Sequence, residues 1–132
     1  MPKYVYPAVF TPEDGGQYSV NFPDLQNCFT SGENLSDAID MAQDVLCLML
    51  YDAEESGAEI PVASDISKIS APAGCFTSLI ACDTLEYRKL HKNSAVKKTL
   101  SIPSWLNAIA EKNGVNFSQI LQDALKAQLH IS

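Results

Sequence analysis

The chain has 132 residues, 46% of them hydrophobic and 19% charged, a soluble globular composition with room for one or two small domains. No apolar run reaches the roughly 18 residues of a membrane span. The opening Met1-Pro2-Lys3-Tyr4 lacks a signal peptide's apolar core, so no membrane partner and a cytoplasmic location are expected. The net charge of −7 argues against nucleic acid for the chain as a whole, but the charge is split. Residues 1–90 set Lys3, Lys68, Arg88 and Lys89 against fourteen carboxylates, a net −10. Residues 91–132 set Lys92, Lys97, Lys98, Lys112 and Lys126 against Glu111 and Asp123, a net +3. Opposite signs suggest two partners, a basic one for the front and a polyanion for the back. The plain alternative is that acidic surface only keeps a small domain in solution.

Lys3 to Thr11 is rich in valine and aromatics and reads as a strand, with Pro7 favouring an edge or a bulge. Pro12-Glu13-Asp14-Gly15-Gly16 is a turn. Gln17 to Phe22 alternates, with Tyr18, Val20 and Phe22 on one face, and Cys28 to Ser31 is a third short strand, giving an antiparallel meander. Asn34 then caps a helix of about 22 residues, roughly 33 Å long, with Asp37 as a capping-box partner. Leu35, Ala38, Ile39, Ala42, Leu46, Met49 and Ala53 are its expected core face, and Gly57 its end. Asp37, Asp40 and Asp44 form another face, solvated or bound to a partner. Residues 58–74 read as loop, Cys75 to Cys82 as a fourth strand and Thr84 to Leu90 as a short helix. The front domain, 1–91, is therefore α+β, ordered β-β-β-α-β. Cysteines 28, 47, 75 and 82 form no Cys-x-x-Cys pair, and His91 and His130 are the only imidazoles. Neither a metal nor a cofactor is expected, and reduced thiols suit the cytoplasm.

Lys92-Asn93-Ser94-Ala95 reads as a hinge, leaving 96–132 as a second domain. Val96, Leu100 and Ile102 share one face of a predicted strand 96–102, with Lys98 as the exception, either reaching a phosphate or solvated. Lys97, Thr99 and Ser101 share the other. Pro103 ends the strand and opens a helix whose expected buried stripe is Trp105, Leu106, Ile109 and Ala110. After Gly114, Asn116 caps a second helix, with Gln119 at the capping-box position and Ile120, Leu121, Ala124, Leu125 and Leu129 on its apolar face. One strand cannot satisfy its own backbone groups, and about forty residues bury too little surface to fold alone. Antiparallel pairing with a second copy answers both needs and makes a ribbon that fits a DNA major groove. Lys97, Thr99 and Ser101 then point outward toward bases, while Asn116, Phe117 and Ser118 offer a helix N-terminus to phosphate. Pro103 at the strand end, Gly114 between helices and Asn116-Phe117-Ser118 opening the second resemble the ribbon-helix-helix DNA-binding family. Dimerisation without DNA binding is the alternative.

Tyr6-Pro7-Ala8-Val9-Phe10, then Phe22-Pro23-Asp24-Leu25, then Cys28-Phe29-Thr30-Ser31-Gly32, resemble HicB-type antitoxins of bacterial toxin–antitoxin pairs. Where that family's pattern has glycine before the third-strand cysteine, this chain has Asn27. The resemblance implies a degenerate, shortened ribonuclease-H-like front domain that covers the active surface of a small, basic, mRNA-cleaving HicA-type toxin. It implies a tail that represses the operon encoding the pair, and it implies no catalytic residues. The acidic front then serves attraction to a basic RNA-binding surface. The resemblance leaves the toxin-contacting residues unassigned beyond that acidic surface.

Two rival functions remain in the sequence. One is a dimeric transcription regulator whose front domain senses a ligand. The other is a metal-dependent nuclease, which needs clustered carboxylates. Tyr4 to Phe10 supplies none, and Asp14, Asp24, Glu33 and Asp83 fall at turns or strand ends.

Overall fold

The computed structural model describes residues 3–132, so Met1 and Pro2 of the opening segment lie outside the described residues. Strand β1 (Lys3–Pro12) pairs antiparallel with β2 (Tyr18–Asn21), and β2 with β3 (Phe29–Gly32). Strand β4 (Phe76–Asp83) joins the other side of β1, also antiparallel, giving the order β3-β2-β1-β4. Strand β1 is thus interior, not the edge strand that Pro7 suggested. Proline is tolerated because β2 begins pairing only at Val9, so Pro7 has a single neighbour, Leu79 of β4.

Helix α1 (Leu35–Ser56) lays one face on this sheet. Tyr6, Ala8, Phe10, Val20, Phe22, Ile80 and Cys82 form one core with Ala38, Ala42, Leu46 and Leu50. The helix starts where the sequence predicts, with Asn34 Oδ1 accepting from the Asp37 amide at 2.8 Å. The return arm differs, because Asp37 Oδ2 accepts from the Glu33 amide, one residue before the cap. Leu35 and Ile39 were expected in the core but are 42% and 44% exposed. The reason is local. Gly32 ends β3 against the backbone of Asp37 and Ala38, which fixes the Ala38 face toward the sheet and rotates Leu35 and Ile39 outward.

The Phe-Pro-Asp-Leu stretch is a clasp. Phe22 is buried, Leu25 packs on the core, and Asp24 accepts from the Ser64 amide at 2.9 Å, holding the loop that follows α1. Tyr6 donates its hydroxyl to the Pro61 carbonyl in the same loop. Asn27 has φ 57°, a left-handed conformation that glycine adopts freely and asparagine tolerates, so Asn27 suits the position where the family pattern it resembles has glycine. Helix α2 (Thr84–His91) follows β4 directly, capped by Asp83, which accepts from the Leu85 amide at 3.0 Å.

The chain divides into two compact units, one ending at Ser94 and the other spanning Ala95–Ser132. The second holds α3 (Ser104–Lys112) and α4 (Phe117–Gln128), separated by Gly114 at φ 64°. Asn116 caps α4 through the Gln119 amide at 3.0 Å, but the Gln119 side chain donates to Asp123 and does not close a capping box. The predicted strand 96–102 is not formed as a strand in the single chain, since no strand among the described residues pairs with it. A strand exists only through its ladder, and this segment has none within its own unit.

Candidate functional site

No residue of the second unit is buried. Trp105 (65% exposed), Ile109 and Leu106, expected as core, face solvent, as do Ile120 and Leu125 of α4 and Leu129 just after it. Two short helices and one extended segment have too little thickness to enclose their own apolar stripes. An open groove of about 590 Å³ has Lys98, Leu100 and Ile102 on one wall and Phe117, Ile120, Leu121 and Ala124 of α4 on another, with Asn107 and Glu111 from α3, while Trp105, Leu106 and Ile109 lie outside it. Lys98 therefore shares the apolar face of the segment, and Glu111 stands in the same groove. Lys97, Thr99 and Ser101 are exposed and do not line it. Asn116 spends its side chain on the Gln119 amide, and Ser118 and Phe117 turn partly toward the groove.

The first unit carries its ionisable groups in two arrangements. The first is a half-buried cluster at Glu54, which accepts from Tyr4 Oη at 2.8 Å, Arg88 Nη2 at 2.9 Å and Thr84 Oγ1 at 3.0 Å. Burial alone would raise the Glu54 pKa, but the hydrogen bonds from Arg88, Tyr4 and Thr84 together outweigh it and lower the pKa. Tyr4, desolvated and bonded to that carboxylate, is pushed up to about 12. Arg88 also pairs with Glu55 and lies 4.7 Å over the Tyr51 ring. This cluster ties β1, α1 and α2 together, a structural task that the sequence reading missed because its members lie 30 to 50 residues apart.

The second arrangement is on the outer side of α1, where Asp40, Met41, Asp44, Leu48 and Asp52 are exposed. Met41, Val45 and Leu48 form an open apolar groove of about 360 Å³ with Thr30, Tyr87 and His91, and Asp44 stands at its rim. The His91 ring stacks on Tyr87 with centroids 4.3 Å apart.

The carboxylates weighed for metal chemistry do not converge. Asp24 serves the Ser64 clasp and Asp83 caps α2. Among the described residues, no three histidine, cysteine or acidic side chains could hold one ion. The four thiols are free, and burial pushes Cys28 up to about 11, the behaviour of packed and unreactive groups. No helix of the described residues is long and apolar enough to cross a membrane.

A helix-on-sheet unit with an acidic helix face is thus followed by a small unit that leaves its apolar groove open. The family model of the HicB-like antitoxin of bacterial toxin–antitoxin systems matches residues 6–125. A chain in a toxin–antitoxin complex from Streptococcus pneumoniae is 32% identical over 96% of this chain and 99% of that one, with a TM-score of 0.62. The Burkholderia pseudomallei antitoxin HicB is 21% identical over 92% and 96% of the two chains, with a TM-score of 0.55. A chain of a HicA3 and HicB3 toxin–antitoxin complex is 21% identical over 61% of this chain and 99% of that one, with a TM-score of 0.51. The last two share the fold. No curated protein matches. The chain belongs to the HicB-like antitoxin family of bacterial toxin–antitoxin systems.

Proposed function

We propose that this antitoxin silences a small, basic HicA-type ribonuclease by covering its active surface with the front unit, and represses its own operon through the back unit. The observation that carries this reading is the division of the chain. The residues up to Ser94 carry −9 and Ala95–Ser132 carry +2, so each unit is matched to a partner of opposite charge. The front unit reads as a shortened ribonuclease-H-like fold without nuclease chemistry. Its meander followed by a covering helix supports that reading, with β4 entering antiparallel to β1.

The back unit reads as a ribbon-helix-helix module. Its open groove and its lack of any buried residue are what a half-core leaves when the other half belongs to a second copy. Pairing 96–102 with the same segment of that copy supplies the missing ladder. It turns Lys97, Thr99 and Ser101 outward as a DNA-reading surface, with Asn116, Phe117 and Ser118 at phosphate. Free thiols suit the reducing cytoplasm in which such a pair would work. A ligand-sensing front unit has less support, since the groove beside α1 is open and rimmed by carboxylate.

The test is co-expression with the basic protein encoded beside this gene, followed by mass measurement and operator binding. Lys97→Ala is expected to weaken operator binding and steepen nothing else, leaving growth rescue intact. DNA affinity should fall steeply with salt, because lysines displace counterions. Loss of rescue and DNA binding together in Lys97→Ala would show that the two units do not divide the work.

A further inference from the structure

We propose that the toxin docks on the outer face of α1, with Asp40, Asp44 and Asp52 meeting its cations and Met41 and Leu48 seating an apolar side chain beside Tyr87. This rests on the toxin-covering reading above and names the surface that does the covering.

Asp40, Asp44, Leu48 and Asp52 recur every fourth residue, so they form one row along the 22-residue helix, on the side away from the buried Ala38, Ala42 and Leu46. Asp40 and Asp44 at i,i+4 repel each other and destabilise the helix that carries them. No cation among the described residues relieves them. The nearby Arg88 is held by Glu54 and Glu55, and Lys89 by Glu86. A solvated face alone would gain nothing from placing Leu48 (44% exposed) within this row and Met41 (39% exposed) beside it. An apolar groove rimmed by unpaired carboxylates fits a protein face that offers lysine or arginine around an apolar anchor. It repels nucleic acid, and it is too open to enclose a small molecule. Another exposed apolar surface of the front unit, around Val5 and Leu79 on the sheet, carries no comparable row of carboxylates.

The experiment uses the full chain and the purified basic protein encoded beside its gene, with binding followed by calorimetry at two salt concentrations. Asp40→Lys with Asp44→Lys is expected to weaken binding at least tenfold and to flatten its salt dependence. Leu48→Glu is expected to weaken it by a similar factor, and Asp44→Asn by less. Glu13→Lys with Glu59→Lys, the same change in net charge placed elsewhere, should stay within about twofold of the parent. Circular dichroism and melting confirm that each variant is folded. Four results overturn the assignment. One is parent-like binding by the stripe variants with loss in Leu79→Glu, which moves the toxin to the open sheet face. Another is an equal loss in the control pair, which reduces the stripe to bulk charge. A third is a changed mass of the stripe variants alone, which makes the face a contact between copies. If the parent chain itself does not bind the protein, the covering reading fails along with the docking face.

Discussion

Glu54 shows how one side chain can hold a small domain together. Its carboxylate takes three donors, from Tyr4, Thr84 and Arg88, and so bonds the first strand and the last helix of the front unit to α1. Glu54→Ala should cost about 2–4 kcal/mol, measured by urea unfolding, because it strands those donors in a half-buried site. Glu54→Gln keeps an acceptor and should cost about half as much. The pH dependence has a defined sign. The folded pKa of Glu54 is lowered from its ordinary 4.5, so its contribution is present above 4.5 and is lost as the pH falls through the lower folded value. Tyr4 is raised from 10.0 to about 12, so its contribution is present below 10.0 and is lost as the pH rises toward the folded value. The contribution of the Glu54–Tyr4 pair should therefore be flat between these limits, with an acid limb that becomes shallower in Glu54→Gln, while the buried Cys28 thiol, raised from 9.0, begins the alkaline fall before Tyr4 does. None of this cluster was legible in the sequence. A glutamate near the end of an amphipathic helix looks like any solvated residue until the fold brings a tyrosine from fifty residues away.

At the scale of elements, the sequence announces most of the front unit through local chemistry. Asn34 and Gly57 mark the ends of α1, and the meander follows from alternation and turn residues. What periodicity does not settle is the rotation of α1 about its axis, since Leu35 and Ile39 fit a core stripe as well as Leu50 does. Gly32 decides it. A methyl at this position would lie 2.5 Å from Ala38 Cα and 2.7 Å from the Asp37 carbonyl carbon, both backbone atoms that cannot yield without moving the helix. Gly32→Ala should therefore destabilise the front unit by about 3 kcal/mol, read as a fall in melting temperature of the full chain. The side-chain-free position also explains why glycine closes the Cys-Phe-Thr-Ser-Gly stretch: the need is space beside α1. A melting temperature within a degree or two of the parent would show that β3 and α1 can separate without loss.

The whole molecule is two units that differ in how completely they close. The front unit encloses Tyr6, Phe10, Phe22, Leu46 and Leu50 almost entirely, whereas the back unit encloses nothing. Both apolar stripes of the back unit were readable from helical spacing, but their burial was not, because under the proposed dimer the surface that covers them belongs to another chain. The two units should then respond differently to dilution. A fragment ending at Ser94 keeps its whole core, so it should remain a folded monomer with a melting temperature independent of concentration, and it should still bind the toxin. A fragment spanning 95–132 gains its core only by association. Its helicity and melting temperature should rise with concentration, as mass action requires when folding and dimerisation are one step. Circular dichroism over a hundredfold range of concentration, beside sedimentation of the same samples, checks both expectations. A concentration-independent melt of the 95–132 fragment as a monomer would mean that its groove is filled by something other than a second copy, and the DNA-reading ribbon would lose the pairing on which it depends.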